Sequence, residues 1–150
     1  MIDRGHIGRE LYSCSVTVEA GRLRLFAKAI GEDNPIHLEE GAARAAGFAA
    51  LPVPPTFLCA LELEQDAPNA WFETVGLRLD RVLHGEQTFV YHHMLHAGDT
   101  VTLVAHIVDI YEKNGGALEF VVKGTAMVDQ RGRRVADLRS VIIQRNPVCS

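Results

Sequence analysis

The residues of this chain best suited to proton transfer are Glu32, Asp33 and His37, set in the run Gly31-Glu32-Asp33-Asn34-Pro35-Ile36-His37. An imidazole changes charge near neutral pH, and a carboxylate a few positions away can share a water with it. The pair is therefore equipped for general acid–base chemistry. Such chemistry needs its geometry fixed before substrate arrives. Pro35 lacks an N–H and keeps Asn34 out of the helical region, while Gly31 tolerates positive φ, so the run reads as a stiff loop following a helix. Acids at this spacing also occur where they merely solvate a helix end, and spacing alone leaves both readings open.

Other reactive side chains point less clearly to chemistry. His84, His92, His93 and His96 are close in sequence. Neighbouring residues on a strand face opposite ways, so His92 and His93 are not expected to reach one ion, and no metal is expected. Cys59, within Phe57-Leu58-Cys59-Ala60, reads as a packed small hydrophobe with no polar activator beside it. Glu62 and Glu64 are expected to emerge at the solvent-facing end of a helix, since unpaired carboxylates are rarely buried. Gly115-Gly116 has no phosphate-loop context and reads as a hairpin turn. Arg78, Arg81, Lys113, Arg139 and Arg145 are candidates for binding phosphate groups, with no clustering evident from sequence.

The elements that must position these groups follow from periodicity. Residues 12–18 alternate as a short strand. Leu23, Phe26, Ala27 and Ile30 fall on one face of a helix that Gly31 ends. Residues 39–46 form a short alanine-rich helix closed by Gly47, and Leu51-Pro52-Val53-Pro54-Pro55 is a stiff, extended lead-in. Residues 56–63 then read as a helix that is apolar nearly all round in its first turns, hence buried. The second half offers four strands, at 88–95, 101–112, 118–128 and 135–144. In the third, Leu118, Phe120, Val122, Gly124, Ala126 and Val128 share a packed face, and Glu119, Lys123 and Asp129 a mostly wet one. The turns Ala97-Gly98-Asp99, Asn114-Gly115-Gly116 and Gln130-Arg131-Gly132 favour antiparallel hairpins. The expected class is α+β, an antiparallel sheet curled around one buried helix.

The chain's 150 residues suit a single domain, 1–150, and its 47% hydrophobic and 23% charged content is that of an ordinary globular protein. A net charge of −4 argues against nucleic acid as the main partner. Cys14, Cys59 and Cys149 lack metal or redox spacing and read as reduced structural thiols, which suits the cytosol. With no apolar signal core and no run of membrane-spanning length, a soluble cytoplasmic protein is expected.

The runs Phe26-Ala27-Lys28-Ala29-Ile30-Gly31, Asn34-Pro35-Ile36-His37 and Ala42-Ala43-Arg44-Ala45-Ala46-Gly47-Phe48 resemble the MaoC-like dehydratase and (R)-specific enoyl-CoA hydratase family. Its N-terminal-dehydratase branch is resembled by Pro52-Val53-Pro54-Pro55-Thr56-Phe57, by the stretch from Leu83-His84-Gly85-Glu86-Gln87 to Tyr91-His92, and by Ala97-Gly98-Asp99-Thr100. As members of that strand motif, His84 and His92 are expected to line a cleft or interface. Several motifs in order make the match specific over roughly residues 5 to 145. The resemblance implies a hot-dog fold, substrates that are thioesters of coenzyme A or acyl carrier protein, no cofactor, and a homodimer or higher homo-oligomer, with a heterodimer also possible.

The family's motif reads Asp-x-Asn-Pro-x-His. Carried over by position, His37 is one half of the catalytic dyad and Glu32 stands where the family has aspartate, with Asp33 one place later as the alternative acid. Asn34, Pro55, Thr56 and His84 become substrate-side residues. Pro55 falls where the family commonly has a glycine whose N–H polarises the thioester oxygen, and Thr56 is the nearest replacement. The expected activity is hydration of enoyl thioesters or dehydration of (3R)-hydroxyacyl thioesters. The alternatives are a non-catalytic acyl-binding subunit of a heteromeric dehydratase, and a hot-dog thioesterase using Glu62 or Glu64.

Overall fold

The computed structural model describes residues 1–147, and Cys149 lies outside them. Its elements run β1 (Glu10–Thr17), α1 (Ala20–Ile30), α2 (Glu40–Ala45), α3 (Phe57–Leu61), α4 (Ala70–Val75), β2 (Val82–Tyr91), β3 (Thr100–Lys113), β4 (Leu118–Asp129) and β5 (Arg134–Arg145). The strands form one sheet in the order β1-β3-β4-β5-β2, with every neighbouring pair antiparallel. Phe57, Leu58 and Leu61 of α3 pack with Leu103, Met127, Ala136 and Leu138 of the sheet, and all are buried. This is the expected α+β hot-dog arrangement, a sheet around a central helix.

Several local expectations change. α3 is one turn and a half rather than the eight residues anticipated, and beyond Leu61 the chain tightens into i→i−3 bonds, Leu63 N–H to the Ala60 carbonyl at 3.0 Å and Glu64 N–H to that of Leu61 at 3.2 Å. Ile30 leaves the apolar face of α1 and is 53% exposed, while Leu23 and Ala27 are fully buried. α4 was not anticipated. Strand β2 begins six residues before the expected 88–95 segment and ends four before it. It pairs with β5, not β3, so the turn at 97–99 joins strands at opposite places in the sheet and closes no hairpin.

The two faces of β4 are also not as expected. Glu119, Lys123, Thr125 and Asp129 are all buried, on the same face as Val121 and Met127, which points at α3. Alternation separates the two faces of a strand but does not say which one is covered when each charge has a partner. Glu119 accepts from Asn146 Nδ2 at 2.6 Å, from Gln144 Nε2 at 3.3 Å and from the Ile2 N–H. Burial alone would raise the pKa of Glu119, but these donors outweigh it and hold the carboxyl below its usual range.

A depressed carboxylate contributes stability that is present above its unfolded pKa and is lost as pH falls through the folded value. Melting temperature is therefore expected to drop as pH falls below about 4, and Glu119→Gln to make that decline shallower. Thermal unfolding across acid pH checks this, and identical slopes for both proteins would refute it.

Candidate active site

The loop carrying His37 is fixed at its first residue. Gly31, at φ 72°, caps α1 in the left-handed region. The Glu32 N–H returns to the Ala27 carbonyl at 2.9 Å and the Gly31 N–H to Lys28 at 3.3 Å, the paired bonds of a Schellman cap. Asn34 Oδ1 then accepts from the Ile36 N–H at 3.2 Å, and Pro35 opens a 3-10 turn, Pro35–His37. Arg24 of α1 donates from Nε to the Leu38 carbonyl at 2.8 Å, tying the far side of the loop to the helix. Gly31→Ala would force a β-carbon into the left-handed region. It is expected to cost about 1 kcal/mol in denaturant titration.

Glu32 is half-buried and one of its oxygens accepts from the Asn34 N–H at 2.9 Å. That bond folds the carboxylate over its own loop and leaves the second oxygen for another donor. Asp33 is exposed.

His37 is held from the other side. Its Nδ1 lies 2.9 Å from the Pro52 carbonyl oxygen. A carbonyl only accepts, so Nδ1 carries the hydrogen, and the neutral ring presents Nε2 as a bare lone pair. Pro52 is suited to this by its pairing. It forms an isolated antiparallel bridge with His96, flanked by Val53 N–H to the Leu95 carbonyl and Ala97 N–H to the Leu51 carbonyl, both 2.9 Å. In a pair flanked that way, the central residues turn their own N–H and C=O away from the partner strand. Proline has no N–H to waste there, and its carbonyl is free for the imidazole. Asp99 stiffens the clip by accepting from the His96 N–H at 2.8 Å. In ¹⁵N NMR of the neutral ring, Nδ1 is expected to be protonated and Nε2 bare. The reversed tautomer would contradict this geometry.

Next to Pro52, Val53 lines an apolar cleft of about 220 Å³, walled also by Pro55, Leu58, Tyr91, Met94 and Val135. Tyr91 Oη donates to the Pro55 carbonyl at 2.5 Å, fastening the start of α3 to the end of β2. Pro55 has no N–H. The Thr56 N–H donates to no protein acceptor among the described residues, and its hydroxyl makes no cap. Both Pro55 and Thr56 are exposed.

The structure thus joins Glu32, Asn34 and His37 in one loop, and links that loop through Pro52 and Val53 to the cleft at Pro55 and Thr56. It does not bring in His84. That side chain is exposed near the start of β2, against the Glu86 carbonyl at 3.2 Å, seven residues and roughly 20 Å along the strand from Tyr91. His92 does line the cleft, and so does His93, because β2 ends at Tyr91 and strand alternation no longer separates them. His92 Nε2 meets Asp137 at 2.8 Å and His93 Nδ1 the Arg134 carbonyl at 2.9 Å. Burial would raise the pKa of Asp137, but hydrogen bonds from Arg134 and His92 hold it below the usual carboxylate range. Among the described residues, no group of three or more His, Cys, Asp or Glu is placed to share a metal ion.

Glu62 does not emerge into solvent. It is 4% exposed, with one oxygen accepting from Lys123 Nζ at 2.8 Å, Tyr12 Oη at 3.1 Å and the Thr125 hydroxyl. Burial and the neighbouring Glu62 carboxylate push the Tyr12 hydroxyl and the Cys14 and Cys59 thiols upward, so both thiols are held protonated. Glu64 is paired with Arg22 on the surface side. Sequence alone gave no sign of the Pro52 carbonyl or of this network, because in each case the partner residues are far apart in the chain.

Residues 5–138 match the model of the FAS1-like, dehydratase domain region family. A UPF0336 protein of Saccharopolyspora erythraea is 33% identical over 146 residues, covering 96% of this chain and 92% of its own. Among solved structures, a MaoC-like dehydratase superposes with a TM-score of 0.82 at 24% identity, covering 94% of this chain and 42% of that one. The C-terminally truncated HadBC (3R-hydroxyacyl-ACP dehydratase) complex of Mycobacterium tuberculosis gives a TM-score of 0.73 at 25% identity, covering 95% of this chain and 94% of that one. With residues 5–138 matched by that model, the chain belongs to the FAS1-like dehydratase-domain family, and its fold, a sheet around one central helix, is that of the MaoC-like dehydratase.

Proposed function

We propose that residues 1–150 act as one domain that hydrates enoyl thioesters, or dehydrates (3R)-hydroxyacyl thioesters, by means of His37 and Glu32. The observation that carries this reading is the Nδ1–H bond from His37 to Pro52, which commits Nε2 to the role of base. In the hydration direction, a water held between Nε2 and the free oxygen of Glu32 adds its hydroxyl to the β-carbon. The proton it gives up is returned to the α-carbon, so water is consumed and no other reagent is needed. Negative charge gathers on the thioester oxygen as the β-carbon is attacked. The unengaged N–H of Thr56 is the donor this reading assigns to it. The apolar cleft beside Val53 and Leu58 would hold the acyl chain, carried by coenzyme A or acyl carrier protein. Two copies paired along β2 form the working unit in this reading, in the cytoplasm.

One observation favours a second reading, a non-catalytic subunit that shapes the acyl channel for a partner. Pro55 removes the N–H that family members commonly supply at the start of the central helix. Thioesterase chemistry at Glu62 is disfavoured, because three donors already occupy one oxygen of that carboxylate.

Loss of enoyl absorbance from crotonyl-CoA and longer enoyl-CoAs, with free thiol assayed in parallel, separates the three readings. Glu32→Gln is expected to lower turnover by about two to four orders of magnitude, and Asp33→Asn to leave it within a few-fold. A dead Asp33→Asn beside an active Glu32→Gln would move the acid to Asp33. Thiol release by the wild type would favour the thioesterase.

A further inference from the structure

The amide of Gln87, on the inner side of β2, is half satisfied. The Ser140 hydroxyl donates to its oxygen at 2.6 Å, a length typical of O–H···O rather than N–H···O, and the Cys59 thiol faces the same atom at 3.9 Å. Because a hydroxyl can also accept, it is this length that identifies the shared atom as Oε1. The opposite end, Nε2, is fully out of solvent and has no acceptor, alone in this respect among the described side chains. A buried donor without a partner is costly, and in a native structure it points to a group the protein chain does not supply.

The position of Gln87 says what that group is. Tyr91, Phe89 and Gln87 alternate along β2 and pair with Ala136, Leu138 and Ser140 of β5, so the three share the face turned to α3. Tyr91 forms a wall of the apolar cleft, and Phe89 stacks on it with ring centroids 5.8 Å apart. Gln87 lies four residues from Tyr91, about 13 Å further along the strand. Across from it, Cys59 of α3 faces the Gln87 amide, and Leu58 and Tyr91 of the same two elements wall the cleft, so the seam between α3 and β2 runs from the cleft to this amide. An acyl chain entering the cleft and following the seam would bring its distal carbons to the Gln87 amide.

We infer that Gln87 Nε2 is a polar subsite that hydrogen-bonds an oxygen carried on the acyl chain, remote from the thioester. The inference rests on the acyl-thioester reading above. The ligand class is an acyl thioester with a distal hydroxyl, carbonyl or carboxylate, not a simple hydrocarbon chain. The subsite supplies a donor, so the ligand group must accept.

Binding of saturated acyl-CoAs, which cannot react, is the appropriate test. For each of several graded chain lengths, the parent and its ω-hydroxy and ω-carboxy derivatives are titrated into the full chain by calorimetry. At the matching length an ω-oxygen derivative is expected to bind about tenfold tighter than its parent, the factor of one neutral hydrogen bond. Gln87→Met is expected to abolish that preference while binding the parent about as well as wild type. Equal affinity for parent and derivatives at every length in the wild type, or a preference that survives in Gln87→Met, would overturn the subsite. The wild-type comparison stands even if the variant does not fold. Tight binding of parents without turnover of enoyl-CoAs would count against the hydratase and leave the subsite measurable. No binding of any acyl-CoA would remove both.

Discussion

Replacing His37 with alanine is expected to lower kcat/KM for enoyl-thioester hydration by about two to four orders of magnitude, with little change in melting temperature. The imidazole is half-buried in a loop whose fold does not depend on it. Gly31, the Asn34 side-chain cap and the Arg24 bond to Leu38 are all independent of the ring. What is lost is the bare Nε2 that the Pro52 carbonyl enforces. His37→Gln tests the same point more finely, since its amide can still donate to Pro52 but has no basic nitrogen to offer. Both variants are expected to be equally inactive and equally stable, by turnover and thermal unfolding of the same preparations. An active His37→Gln would show that the ring positions but does not move a proton.

The largest effect on stability is expected away from the site. Lys123 and Glu62 are 9% and 5% exposed at their side chains and 2.8 Å apart, with Tyr12 and Thr125 completing the shell of Glu62. Lys123 also lies over the rings of Tyr12 and Trp71. Lys123→Met keeps the volume but leaves a carboxylate buried without its counter-charge, which costs about 3–5 kcal/mol. For a chain of this size that lowers the melting temperature by roughly 10 °C. The double variant Lys123→Met/Glu62→Leu is expected to recover a large part of the loss. Recovery will be incomplete, because the Tyr12 and Thr125 hydroxyls then lack their acceptor. A drop for Lys123→Met no greater than a surface pair would give, about 1 kcal/mol or less, would contradict this.

That pair also shows where the sequence stopped being legible. Helix α1 with its Gly31 stop, the stiff loop to His37, and β3 to β5 to within a residue at each end all follow from period, glycine and proline. These are local signals. The buried face of β4 did not follow. Glu119 and Lys123 look wet until partners 25 to 61 positions away are known to satisfy them, and Asp129 until its bonds to Arg133 are seen. Strand β2 was misplaced because His84-Gly85-Glu86-Gln87 is polar and interrupted by a bulge between His84 and Glu86, and its pairing with β5 leaves no mark in the chain. At the candidate site, His37 and Glu32 were readable from residue type and resemblance. The Pro52 carbonyl was not, because no side chain announces a backbone acceptor. Nothing in the sequence marks Gln87 for a role, since an unpaired amide becomes visible only once its surroundings are assembled.

This chain is expected to perform the addition of water by itself. Purified alone, without a second kind of subunit, it should convert crotonyl-CoA or a longer enoyl-CoA to the (3R)-hydroxyacyl product at a rate abolished by His37→Ala. Chiral analysis of the product reads both rate and hand. No hydration by the wild type of any enoyl thioester, on coenzyme A or carrier protein, would rule out hydration by the chain alone and leave it as an acyl-binding subunit.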